Sequence, residues 1–569
     1  MKNSVSQGQP RVKVVILLGI FVVLALSLLI WRWRSDKPDH VSTVEFRVPI
    51  LATSALQTLD PIKSVELVQY NLDLQIFECL VGVGQEGAII PALAERWESS
   101  ADFKVWTFHL REARFSEDES FGGNKSRQVT VDDVIYSWKR GLNPKLGSLN
   151  SFALSTSVVG ANSFAKGESE TVAGLKKIDD RTLEVELTEP DRDFLTRLTV
   201  LSTAVVAPEA VARYGEQFGS HPVGTGPFKL KNWISGEYLV LERNPSYGQG
   251  NGWQPKAAAV EQVRFTFFRS EPQIAKAFDD GLIDVRDIAG ADLAQLTNIG
   301  SLDELQRLHT GANLIRPGKV CNLHLLAPIV GKEYVFGDSA ALRRSLTASF
   351  NHQQLMTSAV GPLGTATKTL MLPPGILVDG MLTADESTPP PADPSSEASL
   401  RGRTVKVAYV SSRIGDVTVG LLQKWIEQRG GKVRLYPSAS INALFASVGE
   451  VKPDLTLIYW SPYYPNLSNF LTALLTSSRP VPNFTGFSNI QLDQAAQRLK
   501  VATGDELRQV HLTVKNILDQ EMPWIPLYYE TPLVLVKPNV QKFRINPVSV
   551  MLLTDVEVDS TKGAKERSP

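Results

Sequence analysis

The residues able to do chemistry in this 569-residue chain are few and scattered. His40, His109, His221, His309, His324, His352 and His511 form no HExxH or other close metal-ligand pair, and His309 and His324 are too far apart for local chelation. No G-x-S-x-G turn is present to carry a serine nucleophile. Gly224-Thr225-Gly226 lacks the Lys-Ser/Thr of a phosphate loop, and Pro227 has no N–H to offer a phosphate. Asp132/Asp133 and Asp179/Asp180 are adjacent pairs; neighbouring side chains diverge, so these read as a helix start and a turn. Cys79 and Cys321 exclude a disulfide-dense scaffold; they are either one long-range disulfide or two buried thiols. With 59 basic and 60 acidic residues the formal charge is −1, which argues against a nucleic-acid partner. The inventory favours binding over catalysis, with no metal or other cofactor.

One constellation does suggest a ligand surface. Thr404–Val410, Val417–Gln428, Lys432–Tyr436, Ile441–Val448 and Asp454–Trp460 alternate as strand, helix, strand, helix, strand, with Gly430-Gly431 ending the first helix. A parallel sheet places ligands beyond the carboxyl ends of its strands. There the chain reads Tyr459-Trp460-Ser461-Pro462-Tyr463-Tyr464-Pro465, a rigid aromatic wall or an aromatic core edge.

The remaining elements must position that wall. Period-two alternation predicts strands at Lys104–Arg111, Arg181–Leu187 and Glu261–Phe268. Thr130 with Asp133 predicts a capped helix from Val131, and helical spacing recurs at Leu342–Leu355 and Glu506–Leu518. Pro373–Arg403, rich in Pro and Ser, reads as an exposed, partly disordered connector. Val14–Trp31 is eighteen residues without a charge, about 27 Å of helix against a ~30 Å hydrocarbon core. No small-residue cleavage site follows it, so it reads as an uncleaved signal anchor that places the body outside the cytoplasm.

His221–Tyr247, HPVGTGPFKLKNWISGEYLVLERNPSY, resembles the signature of extracellular solute-binding protein family 5, the oligopeptide- and dipeptide-binding components of ABC transporters. Further landmarks follow in the family's order: Leu59-Asp60-Pro61, Ile76–Leu80, Pro91–Trp97, Phe108–Phe115, Val131–Val134, Gly281–Asp284 and Ile525–Tyr528. Physically the signature is a hairpin, Phe228–Trp233 and Tyr238–Arg243, not a catalytic loop.

The resemblance, over about residues 45–545, implies an α/β two-lobe, periplasmic-binding-protein-like Venus-flytrap fold with an extra subdomain in lobe one, preceded by one transmembrane helix. The expected order is a tail at 1–13, the anchor at 14–31, lobe one at 42–267 and 500–556 with its subdomain at about 78–180, lobe two at 268–499, and a flexible tail at 557–569. It implies a small-molecule or short-peptide ligand, an ABC permease as partner, hinge closure and no catalysis. A ligand sensor on the same fold and an anchored hydrolase are the alternatives.

Departures from the family bear on the ligand. Its peptide-binding members carry W-x-x-D at the end of the lobe-two strand, the Asp pairing the peptide ammonium; here Trp460 is followed by Tyr463. Enclosing an ammonium without a carboxylate carries a penalty of several kcal/mol. Asn351-His352-Gln353 stands where relatives have D-R-E, and Cys79 replaces a glycine. By the same likeness Val65, Glu66 and Leu67 supply ligand contacts from lobe one, Glu66 being a candidate relocated anion. The expected site is therefore Trp460, Tyr463, Ser461, Tyr459, Glu66, Leu67 and Val65.

Overall fold

Alternating residues of Glu45–Leu51, Tyr238–Arg243 and Gln262–Phe268 bury Phe46, Val48, Leu239, Leu241, Val263 and Phe265, and that shared apolar face builds the first sheet. Its order is Glu45–Leu51, Gln262–Phe268, Tyr238–Arg243, Phe228–Ile234, the first pair parallel and the others antiparallel. The computed structural model describes residues 44–51, 56–64, 66–148, 151–288, 302–370, 391, 395–462, 471 and 485–559. The expected anchor Val14–Trp31 lies outside them; among the described residues no helix is long and apolar enough to cross a membrane.

A second, antiparallel sheet of four strands (Ala94–Ser99, Val105–Leu110, Thr182–Glu186, Leu175–Lys177) forms the subdomain and buries Trp106, Phe108, Leu110, Leu183 and Val185. It extends past the expected limit of about 180, because Thr182–Glu186 is one of its inner strands. The helix Val131–Leu142 packs Val134 and Trp138 inward, and the Thr130 N–H donates to Asp133 Oδ2 at 2.8 Å as the capping box requires.

The predicted strand-helix alternation is present. Thr404–Val410 lies between Lys432–Ser438 and Leu455–Trp460, parallel to both. Leu323–Pro328, Ile525–Glu530 and Gly364–Ala366 complete a six-stranded lobe-two sheet. One face packs Leu323, Leu325 and Ile458 on the helices Ile490–Leu499 and Gly504–Glu521; the other packs Leu326, Leu455 and Leu527 on Ala340–Ser349 and Arg413–Glu427.

Three expectations change. The stretch 500–530 belongs to lobe two: Leu507, Val510, Val514 and Leu518 join its core, and Ile525–Glu530 pairs with Leu323–Pro328. The described end of the Pro-rich connector is docked, with Leu400 buried and Glu397 paired to Arg429 at 2.6 Å. The start of the expected flexible tail, Glu557–Val558, pairs with Val540–Gln541. Cys79 and Cys321 are both free and buried, which resolves their alternatives in favour of thiols.

The chain passes between the lobe sheets through a small three-stranded sheet, in which Val534–Val536 runs antiparallel between Val285–Asp287 and Asn313–Ile315. Here Asp284 accepts from the Arg47 backbone N–H (2.8 Å) and Nε (2.9 Å), fastening the crossing to the first strand. Gly281, whose carbonyl accepts from Arg47 Nη1 at 2.6 Å, has φ +71°, so this turn calls for glycine.

Candidate functional site

A cavity of about 570 Å³ lies where these parts meet. Lobe one lines it with Leu51, Leu67 and Asn71, the crossing strands with Asp287 and Leu533, and lobe two with His324 and Tyr459. Two other depressions, of about 670 and 1110 Å³, are lined by lobe one and its subdomain alone. A further chamber of about 530 Å³ adjoins the cavity through Val320, Glu530 and Thr531, and adds Arg316, Lys319 and Arg544.

The lobe-two wall is built by strand register. Tyr459 faces His324, and His324 faces Tyr528 on the next strand, so three rings share one side of the sheet. His324 stacks on Tyr528 at 4.3 Å and lies 5.7 Å from Tyr459. Burial pushes the His324 imidazole down to about 4, so it is neutral at pH 7. Burial and the nearby Glu530 raise the Tyr459 phenol.

From lobe one, the helix Leu67–Ile76 presents Leu67, 47% exposed, to the cavity. One turn on, Asn71 holds the C-terminal segment, donating to the Ser549 carbonyl (3.1 Å) and accepting from the Met551 N–H (2.7 Å). A lobe-two strand end and a crossing strand add one acid each. Glu530 accepts from Asn322 Nδ2 at 2.8 Å, and burial outweighs that bond and raises its carboxyl. Asp287 opens to the cavity yet is ringed by protein; burial, then the charge of Glu530, pushes it up to about 6 against a smaller opposing effect of Arg286.

Of the expected site, Tyr459 and Leu67 come together in this cavity. Trp460 does not line it: alternation turns it to the opposite face, opposite Leu323 and against the lobe-two core. Glu66 is exposed at the start of its helix and Ser461 is half-buried; neither lines the cavity. Val65 and Tyr463 lie outside the described residues. The reading missed His324, Asn322, Glu530 and Asp287. Two had a sequence signal: Glu530 stands two residues past the Ile525–Tyr528 landmark and Asp287 three past Asp284.

Burial raises both thiols, Cys79 to about 12, so neither is a ready nucleophile. Among the described residues no group of three or more His, Cys, Asp or Glu could hold a metal ion.

Residues 88–480 match the middle region of the bacterial extracellular solute-binding proteins, family 5. The chain belongs to that family. Among its relatives, the periplasmic oligopeptide-binding protein OppA of Salmonella typhimurium is 35% identical over 237 residues, 41% of this chain and 41% of OppA. The peptide transport periplasmic protein SapA of the same organism is 24% identical over 94% of this chain and 96% of its own. Solved structures share the two-lobe fold: Haemophilus influenzae OppA in complex with the peptide RPPGFSPFR (TM-score 0.68, 21% identity, 90% of this chain and 99% of that one). The Escherichia coli murein tripeptide-binding protein MppA does so as well (TM-score 0.69, 21% identity, 90% and 98%).

The family signature has a structural purpose here. Asn244 Nδ2 donates to the Gly226 carbonyl at 2.9 Å, closing the hairpin base, and the Gly226 N–H donates to the Ile76 carbonyl at 2.8 Å. A Cβ on Gly226 would stand 2.6 Å from the Gln75 carbonyl oxygen, so backbone approach excludes a side chain.

Proposed function

We propose that this chain is the solute-binding component of an ABC importer, taking a peptide or peptide-like solute between its lobes and releasing it to the permease without chemical change. The observation that carries this reading is the cavity itself, walled by Leu67 from lobe one and the Tyr459–His324 pair from lobe two, with the interlobe crossings at its side. Movement of the lobes about those crossings would enclose a ligand, a known repertoire for two-lobe binding proteins. Relatives named for oligopeptide binding and peptide transport support the solute class. In this reading Val14–Trp31 anchors the body to the outer face of the cell membrane, and Tyr463 joins the cavity wall. The test is a thermal-shift screen of the full chain against peptides, sugars and metal chelates. A ligand at 100 Kd should stabilise by about 2.7 kcal/mol; silence across the panel overturns the reading.

A ligand sensor on the same fold is the second reading, favoured by the anchor expected at Val14–Trp31 and by Tyr463 in place of the family's acid. Copurification with a permease and an ATPase supports the importer; a kinase or receptor in their place supports the sensor.

A further inference from the structure

The lobes also touch outside the sheet through which the chain crosses between them. On the lobe-two side, the helix Ile490–Leu499 seats Leu492, Ala495, Ala496 and Leu499 in the core, and Ala502 beyond it is buried there too. Lys500 caps the helix between these anchors. The last carbonyls of an α-helix have no donor within it and form the negative end of its dipole. The Ala502 N–H turns back to the Arg498 carbonyl at 3.0 Å, whereas the Lys500 carbonyl is met from the other lobe: the Arg192 backbone N–H donates to it at 2.7 Å. Lys500 Nζ in turn donates to Glu189 Oε2 at 3.1 Å. Neither segment belongs to the three-stranded crossing sheet.

The lobe-one partner is a loop that its own contacts hold in shape. It follows the subdomain strand Thr182–Glu186, and Pro190 fixes one of its torsions. The buried Asp191 donates its N–H to the Phe103 carbonyl (3.1 Å), accepts the Asp193 N–H on Oδ1 (3.0 Å) and has Arg197 Nε 3.0 Å from Oδ2. Phe194 is buried with its ring 6.2 Å from that of Trp106 in the subdomain sheet. The Arg192 N–H is thus presented in place, and meeting Lys500 costs little ordering. The ion pair beside it is wet, with the Glu189 side chain 65% exposed, whereas Asp284 in the Arg47 pair at the crossing is 2% exposed. Water can replace both partners of the first pair when the lobes part; the second stays enclosed.

We propose that Glu189, Arg192 and Lys500 form a latch between the subdomain and lobe two, which must open whenever the lobes separate to admit or release a solute. Lobes that pivot about their crossings keep the contacts at the crossings and break those made elsewhere. The backbone bond sets the position at which the lobes meet. The Lys500–Glu189 pair adds an attraction that salt weakens. An exposed pair shifts such an equilibrium only a few-fold, which suits a contact that has to reopen in every cycle. The inference rests on the solute-binding reading for what the latch encloses, but the latch itself closes without a ligand and is tested without one.

Two readouts on the full chain test it. The first is hydrogen exchange of the segment that contains the Arg192 amide. The second is the rate at which a bulky maleimide labels Tyr459→Cys in the cavity, where Cys79 and Cys321 are buried and contribute a constant background. Lys500→Glu places like charges opposite each other and should speed both by about fivefold; Lys500→Met, which only removes the attraction, should speed both by about twofold. Glu189→Lys combined with Lys500→Glu restores the pair in reverse and should return both rates to within about twofold of the parent. Raising NaCl from about 0.05 to 0.5 M should narrow the gap between parent and Lys500→Glu. Unchanged exchange at Arg192 in Lys500→Glu, or a reversed pair that restores nothing, overturns the latch. Faster exchange with unchanged labelling overturns it as well, since the contact would then not govern access to the cleft. Unchanged exchange in the helix Gly504–Glu521 verifies folding, and the ligand screen decides the solute-binding reading separately.

Discussion

The buried acids of lobe one and its subdomain, Asp73 excepted, are matched by arginines, whereas the half-buried Glu530 and the exposed Asp287 at the cleft form no ion pair among the described residues. Arg111 grips Glu78 with 2.7 and 2.9 Å contacts, their side chains 1% and 7% exposed. Arg140 grips Asp60 at 2.6 and 2.8 Å, and Arg127 spans Asp133 and Glu209. Asp73 is met by the Ser64 hydroxyl instead. Glu530 by contrast meets an amide, and its nearest charged influence on Asp287 is repulsive. The same residue type therefore does two jobs. Where both partners are internal the pair holds segments together; the two cleft acids instead line the cavity.

Breaking an internal pair should have the largest effect. Arg111→Met leaves Glu78 buried without a counter-charge and should lose about 3–5 kcal/mol in urea unfolding. Glu530→Gln keeps the Asn322 bond and removes a like charge, so the apo protein at pH 7 should be at least as stable as the parent. Similar losses in the two variants would erase the distinction.

The next contrast lies on one strand. Trp460→Ala should destabilise by about 2–3 kcal/mol because its ring packs on the lobe-two core. Tyr459→Ala, 52% exposed into the cavity, should change stability by less than about 1 kcal/mol and weaken ligand about tenfold. The reverse pattern would exchange their assignments.

The smallest effect is in pH. Asp287 in the folded chain is raised to about 6, above an ordinary carboxyl near ~3.9. Between these values the folded state keeps a proton that the unfolded chain has released, so stability falls as pH rises through that window and levels above about 6. Asp287→Asn should remove that component, raising the apo melting temperature by about 1–2 °C at pH 7 relative to parent and by nothing at pH 4. Other raised groups such as Asp73 are common to both proteins and cancel in the difference. A difference independent of pH would contradict the placement of Asp287.

Much of the fold was legible because it is local. The βαβαβ run declares itself through periodicity and the Gly430 stop, whose φ is +82°. The family landmarks were legible as strings, and contact explains them: Glu78 of Ile76–Leu80 meets Arg111 of Phe108–Phe115, and Asp60 of Leu59–Pro61 meets Arg140. The return of 504–530 to lobe two was not legible, since amphipathic spacing says that a face is buried and not against which sheet. Asp287 and Glu530 were missed because the cavity that both line is assembled from segments more than two hundred residues apart.

By itself the sequence determined the family, the strand-helix alternation over 404–460 and the thin catalytic inventory, because propensity, periodicity and motif spacing are properties of neighbouring residues. Only the tertiary structure decided which face of the Leu455–Trp460 strand looks into the cleft and which acids lack a partner. Side-chain direction at a strand end depends on register with Leu323–Pro328, and the charge environment of a carboxylate depends on what distant segments bring to it.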